Sequence, residues 1–128
     1  MKVHTTQTAS YPGLEYLQCS EMEYKAGQAV KMEGGVAVLA AGTTVPTHIC
    51  FSQKEGKEGE TIQAIRVLKG EVFEAPLSAS GAALKIGDKV TIAEDGVRVT
   101  AATSGGIAEI VGFATEAKAE GDGVLIRF

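Results

Sequence analysis

The sequence predicts an all-β protein, and three observations carry that prediction. Short apolar alternations recur from Tyr24 onward: VAV (36–38), HICF (48–51), IQAIRV (62–67), EVFE (71–74), KVTI (89–92), VRV (97–99), EIVGF (109–113) and VLIRF (124–128). Period-two alternation suits strands that bury one face. Glycines separate these runs, as tight turns require, and no window shows a long amphipathic helix.

Taken in order, residues 1–23 are expected to form an extended N-terminal arm. The segment is polar, contains several Thr and Ser, and shows neither periodicity, while Tyr11, Pro12 and Gly13 supply a turn. Leu14, Tyr16 and Leu17 are apolar enough to lie against the domain or a partner. Residues 24–128 then form one β domain. Its first hairpin is KAGQAVKMEGGVAV (25–38), with the tip at Glu33, Gly34 and Gly35. Small residues at Ser78–Leu84 admit a short helical turn.

The first hairpin has a near twin. Lys25, Gly27 and Val30 recur as Lys85, Gly87 and Val90, and Gly35, Val36 and Val38 as Gly96, Val97 and Val99. Ala40 and Ala41 answer to Ala101 and Ala102, Ile49 and Phe51 to Val111 and Phe113, Gly59 to Gly121, and Ile65 and Arg66 to Ile126 and Arg127. Blocks in the same order predict two duplicated strand-turn-strand units, about 24–67 and 84–128, joined by the unmatched LKGEVFEAPLSASGAA. Neither unit alone buries its apolar face.

Charge and composition exclude several functions. Twelve Lys and Arg stand against sixteen Asp and Glu, a net charge of −4, so the clustered positive charge of a nucleic-acid binder is missing. Aromatics make up 5% with no Trp, which leaves few stacking platforms for single strands or sugars. The longest apolar patch, VAVLAA (36–41), is too short to span a bilayer, and the first residues carry no signal-peptide core. Synthesis in a cytoplasm follows, with Cys19 and Cys50 as free thiols.

Few residues invite chemistry. AVKM (29–32) resembles the tetrapeptide around the lysine of biotin-carrying domains, but that lysine stands at a hairpin tip, whereas Lys31 sits in the strand before the tip. His48 and Cys50 alternate along one strand, and only His4 and Cys19 are available to complete a metal site, so no metal is expected. Ile49 and Phe51 are then assigned to the core face. The acidic run KEGKEGE (54–60) lacks the ligand ladder of a calcium loop, and Glu116, Glu120 and Asp122 occupy the corresponding loop; both read as solvated. No nucleophile, phosphate or dinucleotide motif is present, so the sequence predicts no enzyme and no cofactor.

From Lys69 the order of motifs becomes informative: KGEVFEAP (69–76), KIGDKVTI (85–92), GVRVTAA (96–102), EIVGFATEA (109–117) and GDGVLIRF (121–128). This succession resembles the capsid cement, or head decoration, proteins of tailed bacteriophages and prophages, over about residues 24–128. The resemblance implies a compact β-clip or β-tulip-like domain that forms a homotrimer on the outer surface of the capsid and bridges major capsid protein subunits. It places the protein in the virion, after synthesis in the host bacterium. It also implies that the arm contacts the major capsid protein, with Val3, Tyr11, Leu14 and Tyr16 as its contact residues. The competing expectation is a small β-rich binding module for a carbohydrate or a protein, presenting loops 53–60 and 115–123; scarce aromatics count against sugars.

Overall fold

In the structure, a computed structural model, residues 1–5 and 13–128 are described, without the side chains of residues 4 and 5. The described residues are all-β. Thirteen strands follow in order: β1 (Lys2–Thr5), β2 (Leu14–Gln18), β3 (Glu23–Tyr24), β4 (Ala29–Glu33), β5 (Val36–Leu39), β6 (His48–Cys50) and β7 (Lys54–Glu55), then β8 (Thr61–Arg66), β9 (Val72–Pro76), β10 (Lys89–Ile92), β11 (Val99–Ala101), β12 (Ala108–Phe113) and β13 (Gly123–Arg127). The stretch Ser78–Leu84, expected to allow a helical turn, holds only bends and turns.

The strands form a six-stranded sheet, β1-β9-β13-β12-β10-β11, a five-stranded sheet, β2-β8-β6-β4-β5, and the small ribbon β3-β7. All the paired strands run antiparallel. The five-stranded sheet curls until its ends meet at a parallel bridge between Cys19 and Ala37, and in the larger sheet the end of β9 meets β11 in the same way between Leu77 and Val99, with β1 outside the closure. Curling removes most of the free edge from each sheet.

Each curl encloses a core. The first holds Leu17, Cys19, Tyr24, Val30, Ala37, Cys50, Ile62 and Ala64. The second is built on Phe73, Leu77, Val90, Ile92, Val99, Ile110, Val124 and Ile126, and it also takes in Ala29, Ala40 and Ile49 from the outward face of the first sheet. Ala29 pairs with Ile49 while Val30 pairs with His48, so the pleat sends alternate residues of β4 and β6 to opposite sides. The halves are joined by backbone bonds, Gly42 N–H to Ile92 O at 2.7 Å and Ala29 N–H to Gly96 O at 2.7 Å.

Five strands of each curled sheet share one order, and the turn before β4 recurs before β10. Gly27 and Gly87 both have positive φ, 83° and 96°. The N–H of Gly27 reaches Cys50 O and that of Gly87 reaches Ile110 O, each at 2.8 Å. The preceding lysines are capped alike, Lys25 N–H by Gln28 Oε1 at 3.1 Å and Lys85 N–H by Asp88 Oδ2 at 2.9 Å. The KxGxxV phrase is thus a turn with a side-chain cap. Between β4 and β5, Gly34 and Gly35 take φ of 60° and 84°, the pair of left-handed residues that a two-residue hairpin demands.

The hydrogen-bond ladders set a different alignment for the remaining strands. Val30 faces Leu39 and Val90 faces Ala101, so Leu39 corresponds to Ala101, and Ala37 to Val99. Likewise Ala29 faces Ile49 and Lys89 faces Glu109, so Ile49 corresponds to Glu109 and not to Val111. In the last strand Ala64, not Ile65, matches Ile126. A one-residue slip would turn the buried Ala37 and Ala64 to the other face. Loop length absorbs the difference: the β10–β11 connection is longer than the β4–β5 turn.

The N-terminal segment departs from the expected arm. β1 pairs with β9, and β2 pairs with β8 along its whole length. Met1, Leu17 and Cys19 are buried. Within residues 1–23, Lys2–Thr5 and Leu14–Gln18 are members of the two large sheets, and Met1, Leu17 and Cys19 supply part of the cores.

Candidate partner-binding face

The outer wall of β2, β8 and β6 carries an apolar row. Tyr16 faces Gln63 across the β2–β8 ladder, and Phe51 N–H donates to Gln63 O at 2.9 Å, so Tyr16, Gln63 and Phe51 lie side by side. One step along, Leu14 faces Ile65, which faces Ile49. Leu14, Tyr16 and Phe51 are 42%, 64% and 55% exposed, well above the buried residues behind them. Three large apolar groups in one neighbourhood mark a contact surface more than a scatter of single residues does.

Beside this row opens a groove of about 430 Å³ between the two halves. Val3, Phe73 and Pro76 line it from β1 and β9, Ile49 and Ile65 from β6 and β8, and Phe51 from just beyond β6. Met1 closes one end, and its amine donates to Gly27 O. Burial pushes that amine down to about 6.

A polar cluster fixes β2 from the opposite side of the sheet. Arg66 donates to Glu15 through Nε and Nη2, both at 2.8 Å. Buried His48 places Nε2 at 3.3 Å from Glu15 and Nδ1 at 2.8 Å from Thr47 Oγ1. With Nε2–H donating to the carboxylate, Nδ1 accepts from the threonine hydroxyl. The Arg66 hydrogen bond holds the Glu15 carboxyl below its ordinary range, aided by His48 against a smaller effect of burial. Glu15 thus ties β2 to β8 and β6 by charge-assisted bonds.

The candidate residues fall as follows. Val3 lines the groove from β1, Leu14 and Tyr16 lie on β2, and Tyr11 is outside the described residues. Phe51 joins them although the sequence assigns it to the core. Its ladder ends at Cys50, and the polar Ser52 and Gln53 that follow are the one signal that the chain is leaving the sheet. His48 and Cys50, which the assignment of Ile49 and Phe51 to the core leaves on the other face or at a subunit contact, are both buried, Cys50 inside the first core. Burial pushes the Cys50 thiol up to about 12, which removes its nucleophilic character at neutral pH. Among the described residues no three His, Cys, Asp or Glu side chains converge as metal ligands. Lys31 stands within β4 and pairs with Glu33 at 3.5 Å. Lys54 and Glu55 of the acidic run form β7 against β3.

Leu14 and Tyr16 on β2 and Phe51 just beyond β6 thus form an exposed apolar row beside an apolar groove. No protein-family model matches the chain, and no curated protein matches it.

Proposed function

We propose that the protein is a structural component of a phage or prophage virion that binds the outer surface of the capsid and stabilises it by bridging major capsid subunits, as a homotrimer. The observation that carries this reading is the exposed row of Leu14, Tyr16 and Phe51 beside an apolar groove, on a wall held rigid by the Glu15–Arg66–His48 cluster. The succession of motifs from Lys69 to Phe128 supports naming the partner. A protein repeated around a shell needs only modest contacts, because simultaneous engagement multiplies them. Burying one of these side chains contributes about 1–2 kcal/mol.

The test is co-sedimentation with empty heads of the phage whose genome carries the gene, together with native mass spectrometry for the trimer. Wild-type protein co-sediments, and Tyr16→Ser with Phe51→Ser weakens binding at least tenfold while leaving the urea midpoint unchanged. Undiminished binding by that variant refutes the assignment of the face. Point substitutions serve better than deleting residues 1–16, since deletion would remove β1 and half of β2.

A further inference from the structure

The two halves treat the outer edge of one strand differently. β2 and β9 hold corresponding places: Leu14–Gln18 pairs with β8 as Val72–Pro76 pairs with β13. Beyond each lies the bridge that closes its sheet, at Cys19 and at Leu77. The far side of β9 is filled by β1, with Lys2, Val3 and Thr5 opposite Glu74, Phe73 and Val72. An ion pair between Lys2 and Glu74 at 3.2 Å reinforces that pairing. Among the described residues no strand pairs with the far side of β2 across Leu14–Tyr16.

One bond shows which groups face this edge. Cys19 N–H donates to Glu60 O at 2.9 Å, toward β8. Alternation along an antiparallel strand then turns the N–H and C=O of Leu14 and Tyr16 outward. The same argument holds for β9. Leu77 N–H donates to Asp122 O at 2.9 Å, and the outward residues Val72 and Glu74 are ones that β1 pairs with. Pro76, next in that outward series, has no N–H to offer, so a proline is tolerated at such a position in this molecule.

We propose that the edge of β2 at Leu14–Tyr16 accepts an extended strand from a different protein, as the edge of β9 accepts β1. The strand carries apolar side chains at alternate positions, to lie beside Leu14 and Tyr16, and neutral or basic residues between them. A neutral or basic residue opposite Glu15 suits a different chain, because antiparallel self-pairing centred on Glu15 would set two carboxylates directly opposite, between chains that each carry −4. The inference rests on the capsid-binding reading only for the owner of the strand.

A short fluorescein-labelled peptide of alternating lysine and valine tests the edge by fluorescence anisotropy. Wild-type protein binds it; Tyr16→Thr and Tyr16→Pro both remove the ring, and Tyr16→Pro, which also deletes one outward N–H, binds about tenfold more weakly than Tyr16→Thr or worse. A lysine–glycine peptide of equal charge also binds at least about tenfold more weakly, because it lacks the apolar row's partners. Hydrogen exchange of the Tyr16 amide slows when the lysine–valine peptide is added. Equal binding by Tyr16→Pro and Tyr16→Thr, equal binding of the glycine peptide, or no binding at all overturns the proposal. So does a change of oligomeric state in Tyr16→Pro, which would assign the edge to self-association. Should Tyr16→Pro fail to fold, amide exchange in the wild type decides: slowed exchange supports strand addition and unchanged exchange overturns it. Failure to co-sediment with heads while the peptide still binds overturns the owner and leaves the edge standing.

Discussion

Replacing Tyr24 by phenylalanine removes a single oxygen from the centre of the first core. Tyr24 is fully buried, and its hydroxyl donates to Ala37 O at 2.5 Å while accepting from Ser20 N–H at 2.8 Å. It thereby ties the residue after the Cys19–Ala37 bridge to the strand that closes the curl. In Tyr24→Phe the Ala37 carbonyl keeps Ser20 Oγ at 3.0 Å, but Ser20 N–H loses its acceptor. Losing the buried bond to Ala37 O and leaving the half-buried Ser20 donor without its partner together cost about 1–3 kcal/mol, so about 2 kcal/mol is expected. With an unfolding entropy near 2.1 cal/mol/K per residue, that loss lowers the Tm of this chain by about 7 °C. Urea unfolding followed by circular dichroism gives the free energy, and calorimetry gives the Tm. Ser20→Ala in the same background should show a coupling of at least about 0.5 kcal/mol, because both hydroxyls serve one carbonyl. An unchanged midpoint in Tyr24→Phe would refute the view that this hydroxyl closes the first curl.

Two further outcomes are expected. Glu15 has its folded pKa depressed, chiefly by the Arg66 hydrogen bond, so its contribution to stability is present above its unfolded value and is lost as pH falls through the lower folded value. Glu15→Gln should therefore flatten the acid limb of a stability–pH profile below about pH 5; an unaltered limb would show that the cluster contributes nothing. Cys19 and Cys50 are free and buried, and burial raises both thiols, Cys50 to about 12. Native protein should resist iodoacetamide at pH 8 and label fully in urea, by mass spectrometry, and rapid native labelling of Cys50 would contradict its place in the core.

Much of the fold was legible because strands write their period into the chain. Alternation marked β8, β10, β12 and β13, and the recurring Lys-x-Gly marked two turns whose glycines need left-handed backbone. What string matching missed is register. It aligned Val38 with Val99 by identity, whereas the ladders align Ala37 with Val99, since the pairing depends on how many residues each turn consumes. A similar reason hid β2. Leu14–Gln18 and Val72–Pro76 share almost no residues, yet they occupy the same place in their sheets, because what β2 must supply there is backbone and one inward Leu17.

The candidate face was legible only in part. Leu14 and Tyr16 stood out as apolar residues in a polar segment, but their neighbourhood with Phe51 depends on β2 lying beside β8 and β6, a contact between segments far apart in sequence. The sequence by itself determined the all-β class, the turns and the absence of an obvious catalytic motif, since each follows from local backbone preference and residue chemistry. Tertiary structure alone decided that both faces of β6 are buried, that Lys2–Thr5 and Leu14–Gln18 are sheet members, and that among the described residues a strand covers the edge of β9 and none covers that of β2 at Leu14–Tyr16. Those are outcomes of long-range pairing, in which hydrogen bonds and burial are shared between distant strands and no local pattern records the partner.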